Sequence, residues 1–234
     1  MTMFNYQFKK LIRSYTYIPP YALFIVWIIL LYVYSGQPVL SAYASATIIL
    51  LPVAAWLTIN NFKLESNTER QLLFIQNQSK LKYLTNKLIF SFIIMIPLIL
   101  FSIIYPIILH SFSEHLTISK LFLGLYLHIL VIIIGMIIGA VINTQNILSK
   151  RYSWLLLILI VLLSILRQTV IQHYPISKFI LWIIPPIGDV IQYYQLSLTE
   201  ILSTDFLLLN IWFVIYIILS STLLYYIFSK TEYL

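Results

Sequence analysis

Six stretches of this chain are apolar on every side, not along one stripe: 17–35, 41–59, 88–109, 121–142, 153–171 and 206–228. A helix needs about 20 mainly apolar residues to cross ~30 Å of hydrocarbon, and each stretch is near that length. Strands of a membrane barrel alternate apolar and polar positions over about 10 residues, and these runs do not alternate. The pattern predicts an all-α polytopic membrane protein, one transmembrane domain over 1–234 with six spans. The fifth span carries Arg167 near one end, where a long side chain can snorkel to the interface.

Composition narrows the class further. The chain is 61% hydrophobic and 9% charged, whereas a soluble domain carries roughly 25% charged residues. A disordered chain is excluded by the same apolar content. With no cysteine, disulfides and thiolate metal sites are excluded as well. The net charge of +7 suits either a polyanion or a bilayer, and its location decides. With the N-terminus inside, the inner segments hold Lys9, Lys10, Arg13, Lys63, Arg70, Lys80, Lys82, Lys87, Lys150, Arg151 and Lys230. The outer segments hold only Lys120, Arg167 and Lys178. After subtracting Glu65, Glu69 and Glu232 inside, and Glu114, Asp189, Glu200 and Asp205 outside, the sides carry +8 and −1. Basic residues sorted to the cytoplasmic side account for the whole excess, so no nucleic acid is expected as a partner. A cleaved leader is disfavoured. The first apolar run exceeds the usual 7–15 residues, and the SAYASA stretch at 41–46 runs straight into the next span.

Residues 1–16 read as an interfacial helix, with Phe4, Phe8, Leu11, Ile12 and Tyr15 on one face and Lys9, Lys10 and Arg13 on the other. A plain basic flank is the alternative. The inner segment 60–87 is the most informative. Ser66, Asn67, Thr68 and Glu69 fit a capping box, and Arg70, Leu72, Leu73 and Ile75 follow. Polar QNQS at 76–79 interrupts the pattern, and Ser79 can cap a second helix that carries Lys80, Lys82 and Lys87 into the third span. The blander reading is a solvated loop with a chance capping box.

Glu65, Glu69, Arg70 and Leu73, then Ser79, then Lys82, Tyr83, Leu84, Lys87 and Leu88 resemble the cytoplasmic loop of ABC-2 type transporter permeases. One departure is Gln71, where such families often have Gly. The resemblance implies a type V exporter-like fold in which segment 60–87 carries a coupling helix that docks on an ATP-hydrolysing subunit. Glu65, Glu69, Arg70, Leu72, Leu73 and Ile75 are then the expected ATPase-coupling residues. It also implies a second inner loop at 143–152 and an outer segment 172–205. The short apolar FILWII piece at 179–184, stopped by Pro185 and Pro186, would dip into the membrane there. The implied assembly has two ATPase copies, which hold the ATP and Mg, and a second copy of this chain or a similar permease. Small six-span permeases of this kind resemble exporters for bacteriocin or lantibiotic immunity and for amphipathic toxins such as phenol-soluble modulins. The expected cargo is therefore an amphipathic peptide or lipid-like molecule. The expected site is a bacterial cytoplasmic membrane, with both termini inside.

Other chemistry is missing. The five glycines are Gly36, Gly124, Gly135, Gly139 and Gly188, so no phosphate-cradling loop exists and no cofactor is expected in this chain. H-E-x-x-H and G-x-S-x-G are absent. His110, Glu114 and His115 offer three metal donors in an outer loop, with a solvated loop as the alternative. No Asp, Glu or Lys falls inside the six stretches as delimited, which disfavours an ion-coupled carrier. His128, deep in the fourth span, is either a hydrogen-bonded packing residue or a polar group in a pathway. Gly135 and Gly139, and the pairs Ser41/Ser45 and Ala42/Ala46, have the spacing of close helix packing, within the chain or at a subunit seam. Pro52, Pro97 and Pro106 can kink their spans. A stand-alone immunity protein or secondary carrier is the competing function, and a membrane enzyme the least supported.

Overall fold

The computed structural model describes residues 3–34, 36–144, 150–196, 201 and 203–231. The described residues are helical apart from short links. The helices are α1 (Met3–Ser14), α2 (Ile18–Leu31), α3 (Val39–Phe62), α4 (Asn67–Gln76), α5 (Lys80–Ile108), α6 (Ile118–Thr144), α7 (Lys150–His173), α8 (Lys178–Leu181), α9 (Ile187–Tyr193) and α10 (Thr204–Lys230). A 3-10 turn, Pro175–Ser177, precedes α8. Helices α3, α5, α6, α7 and α10 are long and apolar enough to span a membrane, and α1 with α2 make a sixth span if the bent pair is counted as one.

The first span differs from expectation. Helix α2 ends at Leu31, so its 14 residues rise only about 21 Å. Its start is fixed by Pro19 and Pro20, which have no N–H to continue a ladder from α1. Tyr15 takes a φ of 54° at the break, and the two helix axes diverge by 77°. The carbonyl of Thr16 accepts a 2.7 Å hydrogen bond from Asn60 Nδ2.

Helices α3 and α6 form the centre, each 72% buried over its apolar window against 11% for α10. Their seam is set by small residues. A Cβ on Gly124 would lie 2.4 Å from the Tyr43 ring, one on Gly135 2.6 Å from Ala54 Cβ, and one on Gly139 2.5 Å from the Ala55 carbonyl oxygen. Contact positions advance together along both helices, so α3 and α6 run parallel. That is the relation of the second and fourth spans in a chain that crosses alternately. The G-x-x-x-G pair thus packs inside this chain.

Helix α5 starts eight residues before the apolar stretch, because Ser79 Oγ caps it by accepting from Leu81 N. Lys87 is consequently an interior helix residue, and it is fully buried; the span is less free of ionisable groups than its apolar boundary implies. Pro97 and Pro106 lie within α5, and Pro52 within α3, without ending either helix.

At the end of the bundle away from α4, the α2–α3 and α5–α6 links are clipped together. Gly36 N donates to Ser111 O at 2.8 Å and Ser113 N to Gln37 O at 3.0 Å. Glu114 Oε1 accepts from Val39 N, the first residue of α3, at 2.9 Å, and its Oε2 pairs with Lys120 of α6 at 2.6 Å. A carboxylate at a helix N-terminus also complements the macrodipole.

Arg167 does not snorkel. It is buried in α7, pairs with Asp189 of α9, and donates Nε–H to Leu181 O at 3.1 Å. Gly188 allows that approach, since a Cβ there would sit 2.3 Å from Ile165 O. Of the apolar piece 179–184 only residues 179–181 are helical, in the single turn α8, and Phe179, Ile180, Trp182 and Ile183 are exposed. Residues 145–149 of the second inner loop, and Glu200 and Glu232 among the charges, lie outside the described residues.

Candidate functional site: the inner-loop helix and the ion pair beneath it

The capping box forms as the sequence predicts. Ser66 Oγ accepts from Glu69 N at 3.3 Å and Glu69 Oε2 accepts from Ser66 N at 2.8 Å. Two otherwise unpaired amides at the start of α4 are thereby satisfied. The polar QNQS break becomes a turn, with Gln78 at a φ of 60°, and α5 departs from it.

Burial divides the six expected coupling residues. Leu72 is 64% exposed and Ile75 77% exposed, on the outer side of α4. Glu65, Arg70 and Leu73 are buried beneath the helix, where they hold the loop and offer no surface of their own. Glu69 lies between these groups, half-exposed.

The buried group is a network. Lys87 Nζ pairs with Glu65 Oε2 at 2.6 Å, with both side chains fully buried. It also donates to Asn61 O at 2.8 Å and to Asn61 Oδ1 at 3.2 Å. Asn61 Nδ2 in turn donates to Ser91 Oγ at 2.8 Å and to Lys87 O at 3.2 Å. Tyr83 donates its hydroxyl to Glu65 Oε2 at 3.1 Å. Arg70 donates to Phe62 O at 3.0 Å. The end of α3, the loop, α4 and the start of α5 are therefore one hydrogen-bonded body. Around it Phe62, Leu73, Tyr83, Leu84, Leu224 and Phe228 form a small apolar cluster that brings in α10. Charges this deep persist only when paired and hydrogen-bonded. Tyr83 and Lys87 share a face of α5, four residues apart, but the positions of Glu65 and Asn61 opposite them depend on how the loop folds.

Lys10 of α1 closes the other side, with Nζ 2.6 Å from Glu69 Oε2 and 3.2 Å from Tyr6 Oη. The hydrogen bond from Lys10, with that from the Ser66 amide, lowers the Glu69 pKa below its ordinary value. Burial pulls Lys10 down, but its bonds to Glu69 and Tyr6 outweigh this and raise it. The depressed carboxylate strengthens the clamp above the ordinary Glu pKa, and that contribution is lost as pH falls through the folded value. The raised ammonium contributes below the ordinary Lys pKa and fades as pH rises through its own folded value. The clamp therefore holds across the neutral range. The protection factors of amides in α1 and α4, exchange rates corrected for their intrinsic pH dependence, are expected to fall in acid by no more than about fivefold for a half-exposed pair. Lys10→Gln should move the acid midpoint up towards an ordinary Glu; an unmoved midpoint would show that the pair does not form.

His128 sits apart from this network. It is fully buried, with Nδ1 2.7 Å from Gly124 O and Nε2 2.7 Å from Ser102 Oγ. Both ring nitrogens are engaged, and the ring meets Tyr43 edge-on at 5.9 Å. In the α5–α6 link, His110, Glu114 and His115 border an open cavity of about 370 Å³. Both Glu114 oxygens are already committed, and no group of three or more His, Cys, Asp or Glu among the described residues could hold a metal ion.

Helix α4 presents two apolar side chains outward and is fastened to α1, α3 and α5 on its other side. Comparison of this chain with protein-family models, curated proteins and solved structures finds no match.

Proposed function

We propose that this chain is the membrane-spanning permease subunit of an ATP-driven ABC exporter. It pairs with a second copy or a similar permease, and two ATPase subunits bind the ATP and Mg. The inner loop joins them, with Leu72 and Ile75 as docking contacts. Glu65, Arg70, Leu73 and the Lys10/Glu69 clamp pass the load to the spans. The observation that carries this reading is the two-sided build of α4: large apolar side chains exposed outward, and ion pairs fastening the loop beneath. A freely solvated loop needs neither feature, whereas a lever needs both. The spans hold few ionisable groups, and the titratable His128 has both ring nitrogens engaged, which supports an external energy source. The apolar and aromatic span surfaces favour amphipathic or hydrophobic peptides as cargo, moved outward across a bacterial cytoplasmic membrane.

The test is purification of the complex from native membranes and measurement of its ATP turnover. Leu72→Asp with Ile75→Asp should abolish the associated ATPase activity. Each central apolar anchor is worth about 2 kcal/mol or more, roughly 30-fold in affinity. Thermal unfolding of the chain itself should not change, because both side chains are exposed. Full transport or resistance in cells depleted of ATP would instead establish a stand-alone carrier or immunity protein.

A further inference from the structure

Helix α1 has three distinct sides. Gln7 and Leu11 turn inward and are buried, next to Lys10 on Glu69. Phe4, Phe8 and Ile12, spaced four apart, are 41%, 47% and 43% exposed. Asn5, Lys9 and Arg13, again four apart, form the third side and are exposed. The ion pairs among the described residues include neither Lys9 nor Arg13.

A helix bent 77° from the following span lies along the membrane plane when that span crosses it. Its exposed apolar edge then faces the acyl chains, and the neighbouring basic side lies at headgroup depth. The inner face carries the excess positive charge, so the leaflet beneath α1 complements it if it is anionic. We propose that Lys9 and Arg13, with Phe4, Phe8 and Ile12 beside them, bind the headgroups of anionic phospholipids in the leaflet on which α1 lies. An acidic protein surface suits the site less well, because the basic pair adjoins a continuous apolar edge. Because Lys10 of the same helix holds Glu69, lipid bound here fixes one anchor of α4. That consequence for coupling rests on the permease reading; the lipid binding does not.

The test uses the purified full chain, without an ATPase, in nanodiscs of phosphatidylcholine alone or with phosphatidylglycerol added, and reads hydrogen exchange in residues 3–14. A basic residue near an anionic surface contributes roughly fivefold, so two predict about 30-fold greater protection with phosphatidylglycerol. High salt should erase the difference, as should Lys9→Gln with Arg13→Gln, while Lys9→Arg with Arg13→Lys should keep it. Equal protection in the two discs would overturn the proposal. So would a phosphatidylglycerol effect that survives the double Gln variant; such an effect would reflect the apolar edge alone. An acidic protein as the true occupant would also appear as equal protection here, with protection restored only in native membranes.

Discussion

Lys87→Met is expected to cost about 3–5 kcal/mol, the usual penalty for leaving a buried charge without its partner. The Glu65 carboxylate would remain fully buried, with the Tyr83 hydroxyl as its described hydrogen-bond donor. That loss is a large share of the 5–15 kcal/mol by which a typical domain is folded. Thermal unfolding in detergent and the yield of monodisperse protein are the measurements. Glu65→Leu combined with Lys87→Met removes both charges and should recover most of the loss. A deficit of about 1–2 kcal/mol should persist, because Asn61 O and Oδ1 lose the hydrogen bonds that Lys87 donates. If the single variant costs less than about 1 kcal/mol, the buried pair is not formed. On the permease reading proposed above, the stability of this corner also bears on coupling. A loop that hangs loosely from α3 and α5 would absorb a push instead of transmitting it.

The second large effect lies at the central seam. Gly139→Leu should destabilise by about 3 kcal/mol or more, the upper end for forcing volume into a packed core. The first added carbon would already sit 2.5 Å from the backbone oxygen of Ala55 and 3.0 Å from Thr58 Cβ. A flexible side chain can swing away, but a carbonyl inside a helix moves only with its helix. The variant must therefore part α3 from α6, the two most buried elements. Unfolding in detergent should show the loss. Thr58→Ala in the same background should rescue little, since the Ala55 carbonyl remains. Wild-type stability in Gly139→Leu would mean that the seam is not as close as described.

How far the sequence could be read depended on the range of the interaction. Local signals came through well. The Ser66/Glu69 box and the Ser79 cap are made by side chains within three residues of the amides they satisfy. Apolar length located five long spans. The Gly135/Gly139 spacing pointed to close packing, although not to α3 as the partner. Interactions set by tertiary geometry were hidden. Lys87 lies 22 residues from Glu65 and 26 from Asn61; the Ser79 cap places it on the helix that enters the third span, but not its burial or its partners. The burial of Arg167 is hidden in the same way, because Asp189 becomes its partner only when α9 folds back onto α7 over Gly188. The division of the inner-loop residues into exposed Leu72 and Ile75 and buried Glu65, Arg70 and Leu73 needed the inward face of α4, which is fixed by packing on Tyr83 and Phe228. The first span was overestimated because hydropathy continues through Tyr34, while α2 stops at Leu31 and the following link is drawn to residues 111–113.

Docking of α4 on an ATPase, as proposed, can be read directly by cross-linking. The chain has no cysteine, so Ile75→Cys introduces a unique thiol on its exposed face. Native membranes from cells producing this variant would be treated with a short thiol-to-amine cross-linker, and the joined polypeptides identified by mass spectrometry. The predicted product links residue 75 to a polypeptide with a phosphate-binding loop, in a yield that changes when ATP is trapped. A thiol that reacts at the full solvent rate with aqueous maleimide and joins no nucleotide-binding chain would contradict the account.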